Sequence, residues 1–180
     1  MTVNRVKSQA VRVLSFALVL VAVVATLRVL NWIPGALEPG LMARYASIED
    51  AVATLGLRQV QVPAYYPESL RWPPTEILAQ SRPYQAVVMQ FARASDGQTA
   101  LVIAQAMSAD FDPEIPLRLR TVREVVALDL AGHKAQLEAG SCEDGSVCSR
   151  IRWDEGEVRI VLTMQAPPVE LIRIARSMRY

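Results

Sequence analysis

Gln85-Ala86-Val87-Val88-Met89-Gln90-Phe91-Ala92 and Thr99-Ala100-Leu101-Val102-Ile103-Ala104-Gln105-Ala106 decide the fold. Both runs read as strands with a period of two, after a proline at 83 and before a loop at 108. Between them, Ser95-Asp96-Gly97-Gln98 is a hairpin signal. Downstream the same pattern repeats. Residues 122–130 form a strand that turns at Ala131-Gly132 into 134–138. Residues 149–153 and 157–164 form a second hairpin around Asp154-Glu155-Gly156. Residues 108–116, which include Asp110, Asp112, Pro113 and Glu114, read as an acidic loop. Pro167-Pro168 opens a last helix over 169–178, since proline in the first turn has no hydrogen bond to lose. Its expected buried face is Leu171, Ile172, Ala175 and Met178.

Upstream of the first strand, Ser47 has the character of an N-cap with Asp50 three residues on. The spacing predicts a short helix over 46–55, with Ile48, Ala51, Val52 and Leu55 on one face and Gly56 as its stop. Residues 59–62 alternate as a strand. Pro63, Pro67, Pro73, Pro74 and Pro83 interrupt the next twenty residues, which carry Tyr65, Tyr66 and Trp72; an extended aromatic lid is expected there. The fold class is therefore α+β: a meandering antiparallel sheet with a helix at each end.

The first forty residues have a different character. Arg5, Lys7 and Arg12 precede an uncharged apolar run from Val13 to Leu27. A helix over 11–30 rises roughly 1.5 Å per residue and so spans about 30 Å, the thickness of a bilayer's hydrocarbon. Arg12 and Arg28 then lie at its two membrane interfaces and Trp32 in the aromatic belt. The expected organisation is a cytoplasmic N-terminus over 1–12, a transmembrane anchor over 13–33, a linker over 34–46 with Pro34-Gly35 and Pro39-Gly40, and an extracytoplasmic α+β domain over 47–180. Positive charge on the N-terminal flank keeps that flank in the cytoplasm and sends the domain to the periplasmic or extracellular side. A cleaved signal peptide ending at Val23-Val24-Ala25 is the alternative, and it sends the domain to the same side.

The chain has 180 residues and a formal net charge of +1. Over 41–180 fifteen Arg and Lys meet seventeen Asp and Glu, which argues against nucleic acid as a partner. Cys142 and Cys148 flank a five-residue turn, and outside the cytoplasm a disulfide between them is expected. A redox pair normally uses Cys-x-x-Cys, and a zinc site needs four ligands that two cysteines and His133 do not reach. His133 has no nucleophile or orienting motif around it. No Gly-rich phosphate loop, Gly-x-Ser-x-Gly elbow or His-Glu-x-x-His is present. Neither an enzyme activity nor a cofactor is expected.

Three blocks occur in a recognisable order: Val125-Val126-Ala127-Leu128-Asp129-Leu130 followed by Ala131-Gly132-His133-Lys134-Ala135; Ile151-Arg152-Trp153-Asp154-Glu155-Gly156; and Pro168-Val169-Glu170-Leu171-Ile172-Arg173-Ile174-Ala175-Arg176-Ser177-Met178. Tyr66-Pro67-Glu68-Ser69-Leu70 precedes them. Over about 60–180 this resembles the bacterial domain-of-unknown-function 4367 family. Members of that family often follow one N-terminal membrane helix in anti-sigma-factor-like and sporulation-associated proteins. The resemblance implies a curved antiparallel sheet, distantly like the lipoprotein-carrier fold, with helices on its concave side. It supplies no catalytic residues. With about ten residues before the apolar run, no cytoplasmic domain that could hold a sigma factor is expected, and that role would need another subunit.

The expected function is that of a single-pass, membrane-anchored extracytoplasmic binding or accessory protein, a small subunit or regulator of a membrane complex. Its partner would be another membrane or envelope protein, with Tyr65, Tyr66 and Trp72 as the candidate binding surface. A lipid or lipoprotein carrier is the alternative, and it requires an open apolar cavity between sheet and helices. A carboxylate-dependent envelope hydrolase is a third, and it requires two acids facing each other in a cleft.

Overall fold

The computed structural model describes residues 21, 23, 28, 42–58, 60–108, 111 and 116–179. The chain divides into two units, Met1–Leu41 and Met42–Tyr180. In the first, Val21, Val23 and Arg28 are helical and exposed. Arg12, Trp32 and most of the expected anchor and linker lie outside the described residues, as does most of the acidic loop. Among the described residues no helix is long and apolar enough to cross a membrane.

The second unit is mainly β. Its elements are β1 (Ala43–Tyr45), α1 (Ile48–Leu55), β2 (Val62–Pro63), β3 (Glu76–Gln80), β4 (Ala86–Ala92), β5 (Thr99–Ala106), β6 (Leu119–Leu130), β7 (His133–Cys142), β8 (Val147–Glu155), β9 (Val158–Met164), α2 (Pro168–Arg176) and β10 (Met178–Arg179). Eight strands form one antiparallel sheet in the order β1-β3-β4-β5-β9-β8-β7-β6. Two meanders thus meet along a β5–β9 seam, and the chain crosses from the middle of the sheet to its far edge between β5 and β6. β2 and β10 form a separate two-stranded pair.

Both faces of the sheet are covered. Ile77, Met89, Phe91, Leu101, Ile103, Ile151, Ile160 and Leu162 line one face under α1 and α2. Val88, Val102, Ala104, Cys142 and Cys148 line the other, where Phe111 and Leu117 of the β5–β6 connection pack against them. Every residue of β4 is buried, as are seven of the eight in β5. Strands covered on both sides read as near-continuous apolar runs, so 85–106 carries its strand signal in composition more than in alternation.

Local signals act where they stand. Ser47 Oγ accepts the Asp50 N–H at 3.0 Å and caps α1. Gly56 ends the helix at φ 62°. Pro168 occupies the first turn of α2, which buries Leu171, Ile174 and Ala175.

The structure corrects four boundaries. The lid region contains a five-residue strand, β3, because its prolines stop on either side of 76–80. Residues 43–45, expected in the linker, pair with β3 as an edge strand. β6 and β7 run from 119 and to 142, longer than expected. The last helix stops at Arg176, because Ser177 turns the chain and Met178–Arg179 pairs with β2.

Candidate functional site

The three aromatic residues expected to share a surface separate into two groups. The Tyr65 hydroxyl donates to Glu170 Oε2 at 3.0 Å, and the Arg173 guanidinium lies 4.3 Å above its ring. The Tyr65 N–H donates to Ser177 Oγ at 3.1 Å. Tyr65 therefore fastens the start of the lid onto α2 and the residue that follows it. Partial burial and the Glu170 hydrogen bond both raise its pKa.

Tyr66 and Trp72 belong to the second group. Their ring centroids are 4.5 Å apart, and those of Tyr66 and the buried Phe91 are 5.6 Å apart. The Tyr66 hydroxyl is enclosed and has no hydrogen-bond partner among the described residues. Burial pushes its pKa up. Trp72 completes the stack but remains 56% exposed. The backbone around it runs beside β4: Arg71 N donates to Ala92 O, and Thr75 N to Gln90 O, each at 2.8 Å. The lid is thus a hydrogen-bonded flank of the sheet, and Trp72 is its one large exposed apolar side chain.

Cys142 and Cys148 are disulfide-bonded, with Cα atoms 5.2 Å apart. The bond closes the β7–β8 turn and buries both sulfurs against the sheet. Within that turn Asp144 Oδ1 accepts from Ser146 N and Oγ, and Asp144 Oδ2 from Gln165 Nε2 at 2.7 Å. These bonds, those from Ser146 foremost, hold the Asp144 carboxyl below its ordinary pKa. Gln165 Oε1 accepts from Arg93, which also pairs with Asp96 at 2.8 Å. One polar chain therefore links the β7–β8 turn to the β4–β5 turn.

Two more polar devices escaped the sequence. Gln105 Oε1 accepts the Gln61 N–H at 2.9 Å, and its Nε2 donates to Gln61 O at 2.6 Å. A side-chain amide thereby stands in for a strand neighbour and holds 60–61 on the sheet. On the opposite face, buried Glu138 receives Arg150 through Nε and Nη2 at 2.9 and 2.5 Å, with Arg152 at 3.4 Å.

His133 sits at the start of β7, half-buried, 3.9 Å from Glu155 Oε2. Both line a cleft of about 150 Å³ floored by Leu130, Trp153 and Ala175 and edged by Arg176 and Arg179. Among the described residues no three His, Cys, Asp or Glu side chains gather as a metal site.

One edge of the sheet is uncovered. β6 is twelve residues long and exposed from Arg120 to Ala127. Val122, Val125 and Val126 are 45, 55 and 40% exposed. Its register on β7 slips between Leu119 and Thr121 and again between Val122 and Glu124. Between the two slips Gly140 allows a close approach of the strands: a Cβ there would run into the Thr121 carbonyl group and lie 3.2 Å from Val122 Cα.

No family model, no curated protein and no solved structure matches the chain.

Proposed function

We propose that the chain is a single-pass, membrane-anchored protein whose sheet domain lies outside the cytoplasm and works by binding, as a small accessory subunit or regulator of a membrane complex. The observation that carries this is the Cys142–Cys148 disulfide. Disulfides persist in oxidising compartments, and an uncharged run from Val13 to Leu27 with a basic flank supplies a route to one. The domain meets its partner through surface contact, with the exposed Trp72 ring as the centre of the contact. The order of the three C-terminal blocks, which resembles the 4367 family, fits a curved sheet in an envelope protein of this kind.

The filled interior weighs against a lipid carrier. Leu171 and Ile174 are fully buried between α2 and the sheet, where a lipid would need space. Among the described residues the best-buried carboxylate, Glu138, is already paired with arginine, which gives a hydrolase little to work with.

The test has two arms. Alkaline phosphatase fused after Tyr180 is expected to be active and a cytosolic reporter at the same place inactive; the reverse overturns the topology. Pull-down of the full chain in mild detergent is expected to recover a stoichiometric membrane protein, and Trp72→Ala to lose it. Recovery unchanged by Trp72→Ala overturns the assigned contact.

A further inference from the structure

The bare β6 edge goes beyond that reading, because it concerns the chain's own copies. An exposed strand edge is a template for pairing, and proteins guard such edges with bulges and charges. β6 carries both guards. Its two register slips lie in the N-terminal half, together with Arg120 and Arg123, and Arg118 immediately precedes the strand. β6 also carries Glu124 and Asp129, so an antiparallel second copy can set acid against base.

The match depends on the bulge. In a regular strand, neighbours three apart face opposite sides of the sheet. On β6 they do not: Val122 pairs with Gly140 and Val125 with Glu138, two residues apart on β7, so both valines share a face. Thr121 and Val126, opposite Ser141 and Leu137, likewise share the other face. Now place a second β6 antiparallel to the first, with a two-fold axis at the rung of Ala139, where the bulge sets Arg123 and Glu124 together against one β7 residue. Val122 then opposes Val125 of the other copy, Thr121 opposes Val126, and Arg123 opposes Glu124. The axis repeats each pair. The bulge is what lets same-face residues meet in this odd register. Four exposed valines come together on one face, and two Arg–Glu pairs sit at the centre. Shifting the register by one residue sets Glu124 against its own copy in one direction and Arg123 against its own copy in the other, and either shift breaks the valine pairs.

We propose that two copies of the chain associate edge to edge through residues 121–126 of β6 in this register, joining their sheets into one.

The test uses the full chain in density-matched detergent, followed by sedimentation equilibrium over a dilution series. Wild type is expected to dimerise reversibly. Arg123→Glu gives the edge two acids and Glu124→Arg gives it two bases; each variant alone should weaken self-association about tenfold. Mixed together, they should form a heterodimer tighter than either homodimer, and the double swap should return to wild-type strength. Association through the apolar N-terminal run would be indifferent to the edge charges of all four proteins. A wild-type chain that stays monomeric throughout, self-association unchanged by the single swaps, or an equimolar mixture without preferential heterodimer overturns the proposal. The positions are exposed, and circular dichroism of each variant checks that the fold persists.

Discussion

Replacing Gly140 with alanine tests how β6 is held. The glycine does not need an unusual φ; it needs empty space, because a Cβ would occupy the Thr121 carbonyl's place. The added methyl cannot be relieved by rotating a side chain, since backbone is what it meets. β6 must withdraw, and the ladder around the Thr121–Ser141 and Val122–Gly140 pairs is lost first. Overpacking of this kind costs about 1–3 kcal/mol, and roughly two ladder hydrogen bonds at about 1 kcal/mol each give a similar figure. For a domain of this size about 2 kcal/mol corresponds to a fall in Tm of roughly 8 °C. Thermal unfolding followed by circular dichroism measures the total, and amide hydrogen exchange locates it. Protection should fall over 119–124 and persist in β8 and β9. Gly132→Ala is the control: nothing lies within 4 Å of its Cβ, so only the strain of φ +95° opposes it. If Gly140→Ala melts at the wild-type temperature with β6 amides still protected, the close approach of the two strands is refuted.

Other substitutions have clear signs. Tyr66→Phe keeps the ring stack and removes an enclosed hydroxyl without a partner among the described residues, so it should stabilise by about 1 kcal/mol in a chemical denaturation series. Burial raises the folded-state pKa of Tyr66 above the ordinary 10.0. The stability this hydroxyl permits is therefore complete below pH 10 and lost as pH rises toward the folded value; Tyr66→Phe should lessen that alkaline loss, and a steeper loss would contradict it. Gln105→Leu leaves the buried Gln61 N–H and C=O unpaired and should cost about 2 kcal/mol or more, read as a lower denaturant midpoint; an unchanged midpoint would show that the amide clamp is dispensable. Arg159, at 2.8 and 3.1 Å, holds the Asp154 carboxyl below its ordinary 3.8. Its stabilisation is present above that value and lost as pH falls through the lower folded value, so Asp154→Asn should flatten the acid limb of the stability profile; an unchanged limb contradicts the pairing.

Where a residue acts through its own backbone or its nearest neighbours, the sequence was readable. Ser47, Asp50 and Gly56 marked α1, Gly97 and Gly156 marked turns, and Pro168 opened α2. The cysteine pair was legible because five residues and a turn separate it. Where placement depends on distant chain, the sequence was silent. β3 is short and lies among prolines, and its partner begins ten residues later. The bulges of β6 break the period of two, so the strand's first residues showed no alternation. Tyr65 and Tyr66 are adjacent in the chain, yet the first meets α2 and the second meets β4, and only the assembled sheet separates them. Nothing local marks β6 as an edge either; that follows from the crossover after β5.

That crossover also fixes the order in which the domain can be completed. A nascent chain emerges from its N-terminus. β3, β4 and β5 can therefore assemble as soon as they are made, but the outer side of β5 waits for β9, which begins at Val158. Until some fifty further residues have been synthesised, an uncharged apolar strand presents open hydrogen-bonding groups to anything nearby. The growing polypeptide thus has a vulnerable interval that ends only when its last eighth arrives, and this is where a chaperone would have most to do.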